Sequence, residues 1–176
     1  MSATTPSSIP ATGSWTIDAV HSTVTFTVTH NVVATFRAGF HGISGSLENG
    51  TLSGSVPVDG LDVGGLEIFK EHLLAEGFFD AASHPTLSFR SRDIHAHSDE
   101  RVHASGELTI KGITKPITVE GSVRGPLEVT LADGSTGERL GITLTTTVDR
   151  RDYGLNIGAG ADWDVTVEVA LELSKS

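Results

Sequence analysis

From Trp15 onward the chain alternates apolar and polar side chains with a period of two. Val24, Phe26 and Val28 are interleaved with Thr23, Thr25, Thr27 and Thr29, the pattern of an extended strand with one face turned from water. Threonine suits the wet face because its β-branch favours extended backbone. Leu87 with Phe89, Leu108 with Ile110, Ile117 with Val119, and Ile142 with Leu144 repeat the pattern, and Val165-Val167-Val169-Leu171-Leu173 is its longest run. Turn residues punctuate these runs at Asn49-Gly50, Lys111-Gly112, Asp133-Gly134 and Gly158-Ala159-Gly160. The reading is an all-β fold of about eight antiparallel strands. Closure into a barrel hides every strand edge, although a two-sheet sandwich satisfies the alternation nearly as well. An eight-stranded barrel either packs solid or holds one small ligand.

One segment breaks the period. In LEIFKEHLLAEGFF, Leu66, Phe69 and Leu73 fall at i, i+3 and i+7, which predicts one short helix over about 65–76 with Gly77 as its left-handed C-terminal residue. Asp80 is expected to cap the next turn, and Pro85 disfavours helix at His84. Residues 1–13 read as a flexible tail and 14–176 as a single domain. The tail has neither a basic n-region nor an apolar core, so no signal peptide is expected and the chain is expected to be cytoplasmic. No apolar run approaches the roughly 20 residues of a membrane span.

Composition removes several functions. With 12 Lys+Arg against 22 Asp+Glu, the net charge is −10, and such a surface repels nucleic-acid phosphates. There is no cysteine, hence no disulfide, thiolate metal site or thiol nucleophile. Three histidines, His95, His97 and His103, could meet across a hairpin to hold zinc or nickel; an exposed acidic hairpin tip is the favoured reading. Asp18, His21 and Ser22 have the residue types of a nucleophilic triad. They sit too close in sequence for its geometry, and Ser22 reads as a turn or bulge hydroxyl.

Four segments, in order, carry a family resemblance: IDAVHSTVTFTVTH (17–30), HLLAEGFFDAASHPTLSF (72–89), GELTIKGITKPITV (106–119) and VDRRDYGL (148–155). Together they resemble the YceI-like, or polyisoprenoid-binding, proteins. The resemblance implies a lipocalin-like barrel with a capping helix around an elongated apolar cavity. That cavity would hold a bound isoprenoid lipid, the tail of an isoprenoid quinone or a polyprenyl chain, and no other cofactor is required.

The residues expected to line the cavity are Val24, Phe26, Val28, Phe36, Phe40, Phe69, Leu73, Phe78, Phe79, Leu87, Phe89, Leu108, Ile110, Ile142 and Leu144. Small residues among them (Ala38, Gly39, Gly42, Gly45, Ala104 and Gly106) are expected to leave room. His21, His30 and Arg150 are candidate contacts for a headgroup at the mouth, although an ion pair closing the barrel suits Arg150 better. Burying about 300 Å² of hydrocarbon is worth roughly 7–8 kcal/mol against association costs of about 4–15 kcal/mol, which favours long chains. A buried anion is costly, so a neutral quinone ring is at least as suitable as a diphosphate. A non-catalytic binding or carrier protein is favoured over an enzyme acting on a similar apolar substrate, or a solid-core structural protein. The only partner implied is the lipid, and a homodimer is compatible with the sequence.

Overall fold

Eight ribs close into an antiparallel barrel. The computed structural model describes residues 8–97 and 99–176. The first three ribs are each interrupted: β1 (Ser14–Ile17) continues as β2 (Thr23–His30), β3 (Ala34–Phe40) as β4 (Ser44–Glu48), and β5 (Thr51–Pro57) as β6 (Leu61–Asp62). The other five are β7 (Thr86–Ala96), β8 (Arg101–Ile110), β9 (Ile113–Thr130), β10 (Thr136–Asp149) and β11 (Ala161–Lys175). Each rib pairs with the next, and β11 closes the ring by pairing with both β2 and β1. The barrel, not the sandwich, is therefore the answer to the alternation. Asn49-Gly50 and Lys111-Gly112 join their strands as two-residue loops with positive φ at both residues, the twist that suits tight hairpins.

The ring is incomplete at one place. β6 pairs with β3 but with no other described strand, whereas β7 pairs with β5. Helix α1 (Glu67–Leu74) is inserted between β6 and β7 and sets the Phe69 ring edge-on to Phe36 at 5.6 Å. The helix is shorter than its apolar spacing predicts: Leu66 is its N-cap, and Ala75 turns extended with φ −66° and ψ 163°. Gly77 is not left-handed. A Cβ there would stand 3.1 Å from the Ile157 Cδ1, so this glycine permits close packing instead. Asp80 shapes the next turn through its own positive φ and a carbonyl that accepts from the Ser83 and His84 N–H groups.

Burial divides the barrel interior in two. Trp15, Leu47, Val123, Leu140, Ile142 and Leu173 are fully buried and form a solid floor through the pairings of β1, β4, β9, β10 and β11. The inward residues farther along, such as Val24, Phe26, Leu87, Leu108 and Val167, are only half-buried. Inward side chains that keep accessible surface border a space, and that space is the cavity described below. Of the expected tail, residues 1–7 lie outside the described residues. Residues 8–13 are tied down: the Ser8 N–H donates to Gly125 O, and Gly13 exchanges hydrogen bonds with Asn49.

Candidate functional site

The interior above the floor is a cavity of about 660 Å³. Fourteen of the fifteen predicted residues line it: Val24, Phe26, Val28, Phe36, Phe40, Phe69, Leu73, Phe78, Phe79, Leu87, Phe89, Leu108, Ile110 and Leu144. Ile142 does not, because its β10 position places it in the floor. Val165, Val167 and Val169 of β11 also line the cavity, as do Ile117, Val119 and Ile157; the two-residue alternation could have supplied the β11 and β9 residues.

The room does not come from the expected small residues. Ala38 and Ala104 are buried in the wall, and neither they nor Gly39, Gly42, Gly45 or Gly106 border the cavity. A Cβ on Gly45 would meet Ser53 O at 2.1 Å, and one on Gly106 would meet the Phe89 ring at 2.6 Å. These glycines let backbone and rings approach closely. Gly54 is different: it lines the cavity, and an added Cβ would make only ordinary contacts, at 3.5 Å or more.

Six of the seven phenylalanines form one chain of ring contacts. It runs Phe69–Phe36–Phe26–Phe40–Phe79–Phe78, with centroids 5.0 to 6.3 Å apart. The seventh, Phe89, lies over Gly106. Each such pair is worth about 0.5–1.5 kcal/mol beyond area burial. The chain fastens the helix and the turn after it to the β2–β3 wall, so both neighbouring phenylalanines, Phe78 and Phe79, belong to the cavity end.

The segment VDRRDYGL builds the other side of the opening. Asp149 caps a 3-10 turn, Arg150–Tyr153, by accepting from the Arg151 N–H. The Arg151 guanidinium beside it holds the Asp149 carboxyl down at about 2. Gly154 then reverses the chain at φ 71°. Arg150 points inward, is buried, and spends all five N–H groups on backbone carbonyls. Its Nε donates to Asp162 O at 2.9 Å, Nη1 to Leu155 O and Ile157 O at 2.5 and 2.7 Å, and Nη2 to Gly158 O and Ala161 O at 3.4 and 3.0 Å. The guanidinium carbon also lies 4.4 Å from the Trp163 ring centroid, a cation–π distance. A guanidinium has five N–H donors, so Arg150 lines the cavity with none left for a headgroup, and among the described residues it forms no ion pair that closes the barrel. It holds the loop 154–161 in place.

Residues 15–174 match the YceI-like domain. The chain belongs to the YceI-like family. A UPF0312 protein of Pseudomonas putida is 32% identical over 103 residues, covering 56% of this chain and 51% of the relative. The chain thus spans about half the length of that curated relative. A UPF0312 protein of Vibrio cholerae is 25% identical over 158 residues, 86% of this chain and 81% of the relative. Among solved structures, a polyisoprenoid binding domain from Saccharophagus degradans, implicated in plant cell wall breakdown, is similar with a TM-score of 0.73 at 14% identity, covering 92% of this chain and 98% of that one. Burkholderia cenocepacia BcnA gives 0.69 at 17% identity, covering 89% and 98%. At such identities the likeness establishes the shared YceI-like fold.

Of the remaining candidates of this YceI-like barrel, one borders the cavity and the others lie away from it. His30, at the end of β2, lines the mouth. His21 does not; it lies two residues ahead of β2, whose length of extended strand, roughly 25 Å, separates it from His30. There its Nδ1 is 2.9 Å from Asp18 Oδ2. That hydrogen bond raises the His21 imidazole above its ordinary range and lowers Asp18 below its own. Glu172 completes a group whose ligand atoms lie within 4.8 Å of one another, but its Oε1 already faces Arg139 Nε at 3.4 Å. The Ser22 hydroxyl turns away from His21, accepting from Glu172 N–H at 3.0 Å and donating to Glu172 O. It bridges two strands and is not poised as a nucleophile. His95 and His103 face each other across the β7–β8 hairpin. With His97 they do not form a three-ligand group among the described residues, where the group at Asp18 alone meets that distance.

Sequence reasoning missed Tyr153. It is buried at the cavity wall, and its hydroxyl has no hydrogen-bond partner among the described residues. Burial pushes the phenol up to about 12. An unfolded tyrosine ionises near pH 10, so between pH 10 and 12 the unfolded chain releases a proton that the native one keeps. Stability therefore falls as pH rises through that window. Tyr153→Phe is expected to abolish that alkaline loss and to gain about 1 kcal/mol at neutral pH, measurable by urea unfolding at pH 7 and pH 11.

Proposed function

We propose that this protein is a non-catalytic carrier that holds the tail of an isoprenoid lipid with a neutral headgroup inside the barrel. The observation that carries the reading is the cavity itself: about 660 Å³, walled by aliphatic and phenylalanine side chains, above a solid floor. A solid-core protein would show inward residues all fully buried, which these are not. The membership of the YceI-like family, and the likeness to a domain described as polyisoprenoid binding, point the same way.

Size sets the ligand's length. An apolar cavity of about 150 Å³ takes one benzene, so this one has room for roughly 25 carbon atoms. The chemistry of the wall sets the headgroup. The single guanidinium on it, Arg150, is saturated by carbonyls, while the mouth offers the imidazoles of His30 and His72. A quinone ring or alcohol fits these groups; a diphosphate would lack a buried cation with free donors. A series of isoprenoid alcohols titrated by competition with a fluorescent apolar probe checks both points. Affinity should rise with chain length and level off near 25 carbons, and the diphosphate of a given chain should bind no more tightly than the alcohol. Affinity independent of chain length, or strong preference for the diphosphate, would refute this reading.

A further inference from the structure

Most of the large apolar side chains exposed among the described residues sit on the elements that border the cavity mouth. Of the ten large hydrophobic side chains exposed among the described residues, seven stand around it: Val32, Val33, Leu66, Ile68, Phe69, Ile157 and Trp163. The elements that carry them are linked to one another. The β2–β3 tip is bonded to the loop 154–161 through the Asn31 N–H to Gly160 O, at 2.7 Å. Ile157 of that loop packs at Gly77, just beyond α1, and Phe69 of α1 returns the rim to Phe36 of β3.

The tip itself is unusual. Val33 N–H donates to His30 O, closing a turn whose central residues, Asn31 and Val32, have φ of 50° and 64°. Glycine or asparagine suits the second central position, and a β-branched residue is strained there. Val32 occupies it with 92% of its surface exposed, beside Val33 at 87%. Neither hairpin twist nor core packing requires valine, so the strain places apolar surface at a projecting point.

Charge identifies what that surface meets. The twenty residues of 29–36, 63–66 and 154–161 contain no Asp, Glu, Lys or Arg, in a chain that has 34 charged residues and a net charge of −10. Charge on the rim falls on α1, with Glu67, Lys70 and Glu71, and beside Trp163, with the exposed Asp162 and Asp164, and these groups do not sum to a cation. An anionic lipid surface would repel the molecule as a whole. A rim whose projecting tip and loop are uncharged, and which has no net positive charge, suits the interface of an electrically neutral bilayer, where apolar side chains insert below the headgroups. A second copy of the chain would bring the same net negative charge into contact, which opposes pairing.

We infer that the rim formed by the Val32–Val33 tip, α1 and the loop 154–161 docks the barrel mouth-down on a neutral, zwitterionic lipid surface. This inference rests on the cavity reading, since docking there would let an apolar chain pass between bilayer and barrel without crossing water.

The test is co-sedimentation of the full chain with phosphatidylcholine vesicles and, separately, with phosphatidylglycerol vesicles. The double variant Val32→Asn, Ile68→Ser is the comparison; neither residue lines the main cavity, and asparagine relieves the strained turn. Wild type should sediment with phosphatidylcholine, and the variant should bind about tenfold less or weaker while melting no lower. Uptake of a soluble fluorescent apolar probe, measured without vesicles, should be unchanged in the variant. No sedimentation of wild type with phosphatidylcholine, a requirement for phosphatidylglycerol, or equal binding by the variant would overturn the docking. So would a dimer in sedimentation equilibrium that the variant abolishes, because the rim would then serve a second copy. Loss of probe uptake in wild type with vesicle binding intact would overturn the cavity reading and leave the docking supported.

Discussion

Arg150→Met is expected to destabilise the barrel by at least about 3 kcal/mol, the largest effect of any single polar substitution described above. Five carbonyls of residues 155–162 now share one guanidinium, and methionine fills much of the volume but donates nothing. Each carbonyl left buried without a donor costs about 1–3 kcal/mol, and those that regain water do so by opening the loop. At roughly 2–4 °C per kcal/mol for a domain of this size, the melting temperature should fall by roughly 6–12 °C. Arg150→Lys should recover little, because an ammonium has three donors and no planar fork. Trp163 reports locally: its ring stacks on both Arg150 and Arg151, so its fluorescence should shift as the loop loosens. An Arg150 that served as a headgroup ligand would behave otherwise, with Arg150→Lys leaving stability untouched and changing ligand preference. Calorimetry of the three proteins without ligand separates the two roles.

Filling the cavity should have an equally large effect on binding and little on folding. Val167 is half-buried at the middle of β11, opposite Phe26 on β2 and Thr146 on β10, and faces the hollow. Val167→Trp places an indole in that hollow. If it displaces about 120 Å² of ligand contact, the loss is about 3 kcal/mol, or about 100-fold in affinity. In a solid core the same substitution would cost about 1–3 kcal/mol of stability through overpacking. Here there is space to accept it, so the melting temperature of the unliganded protein should stay the same or rise. Weak binding together with a stable fold is the expected signature; undiminished binding with a destabilised fold would mean that the ligand sits elsewhere.

Much of this architecture was readable from residue order because a barrel strand obeys a simple rule. Alternation at Val24-Phe26-Val28 and Leu108-Ile110 gave both the strand and its inward face, and glycine-containing turns gave the joints. The rule fails where tertiary geometry intervenes. Ile142 and Leu144 have the same parity on β10, yet one packs in the floor and the other borders the cavity. Distance along the barrel axis is not encoded in alternation. Glycines misled for a related reason: Gly45 and Gly106 look like open space in a sequence but mark close approach, whereas Gly54 borders real space. The Asn31-Val32 turn carries no glycine signal, so its conformation was invisible. Arg150 was singled out, but a bond set made entirely of backbone carbonyls, from the following loop and the first residues of β11, has no side-chain signature that a sequence could display.

Native mass spectrometry of the purified full chain, followed by solvent extraction, decides whether the barrel carries an isoprenoid lipid. Expected are a mass above that of the polypeptide in at least part of the population, an extracted lipid built of isoprene units, and loss of that mass in Val167→Trp. A chain of bare polypeptide mass that also fails to take up any isoprenoid alcohol or quinone on reconstitution would contradict the carrier reading.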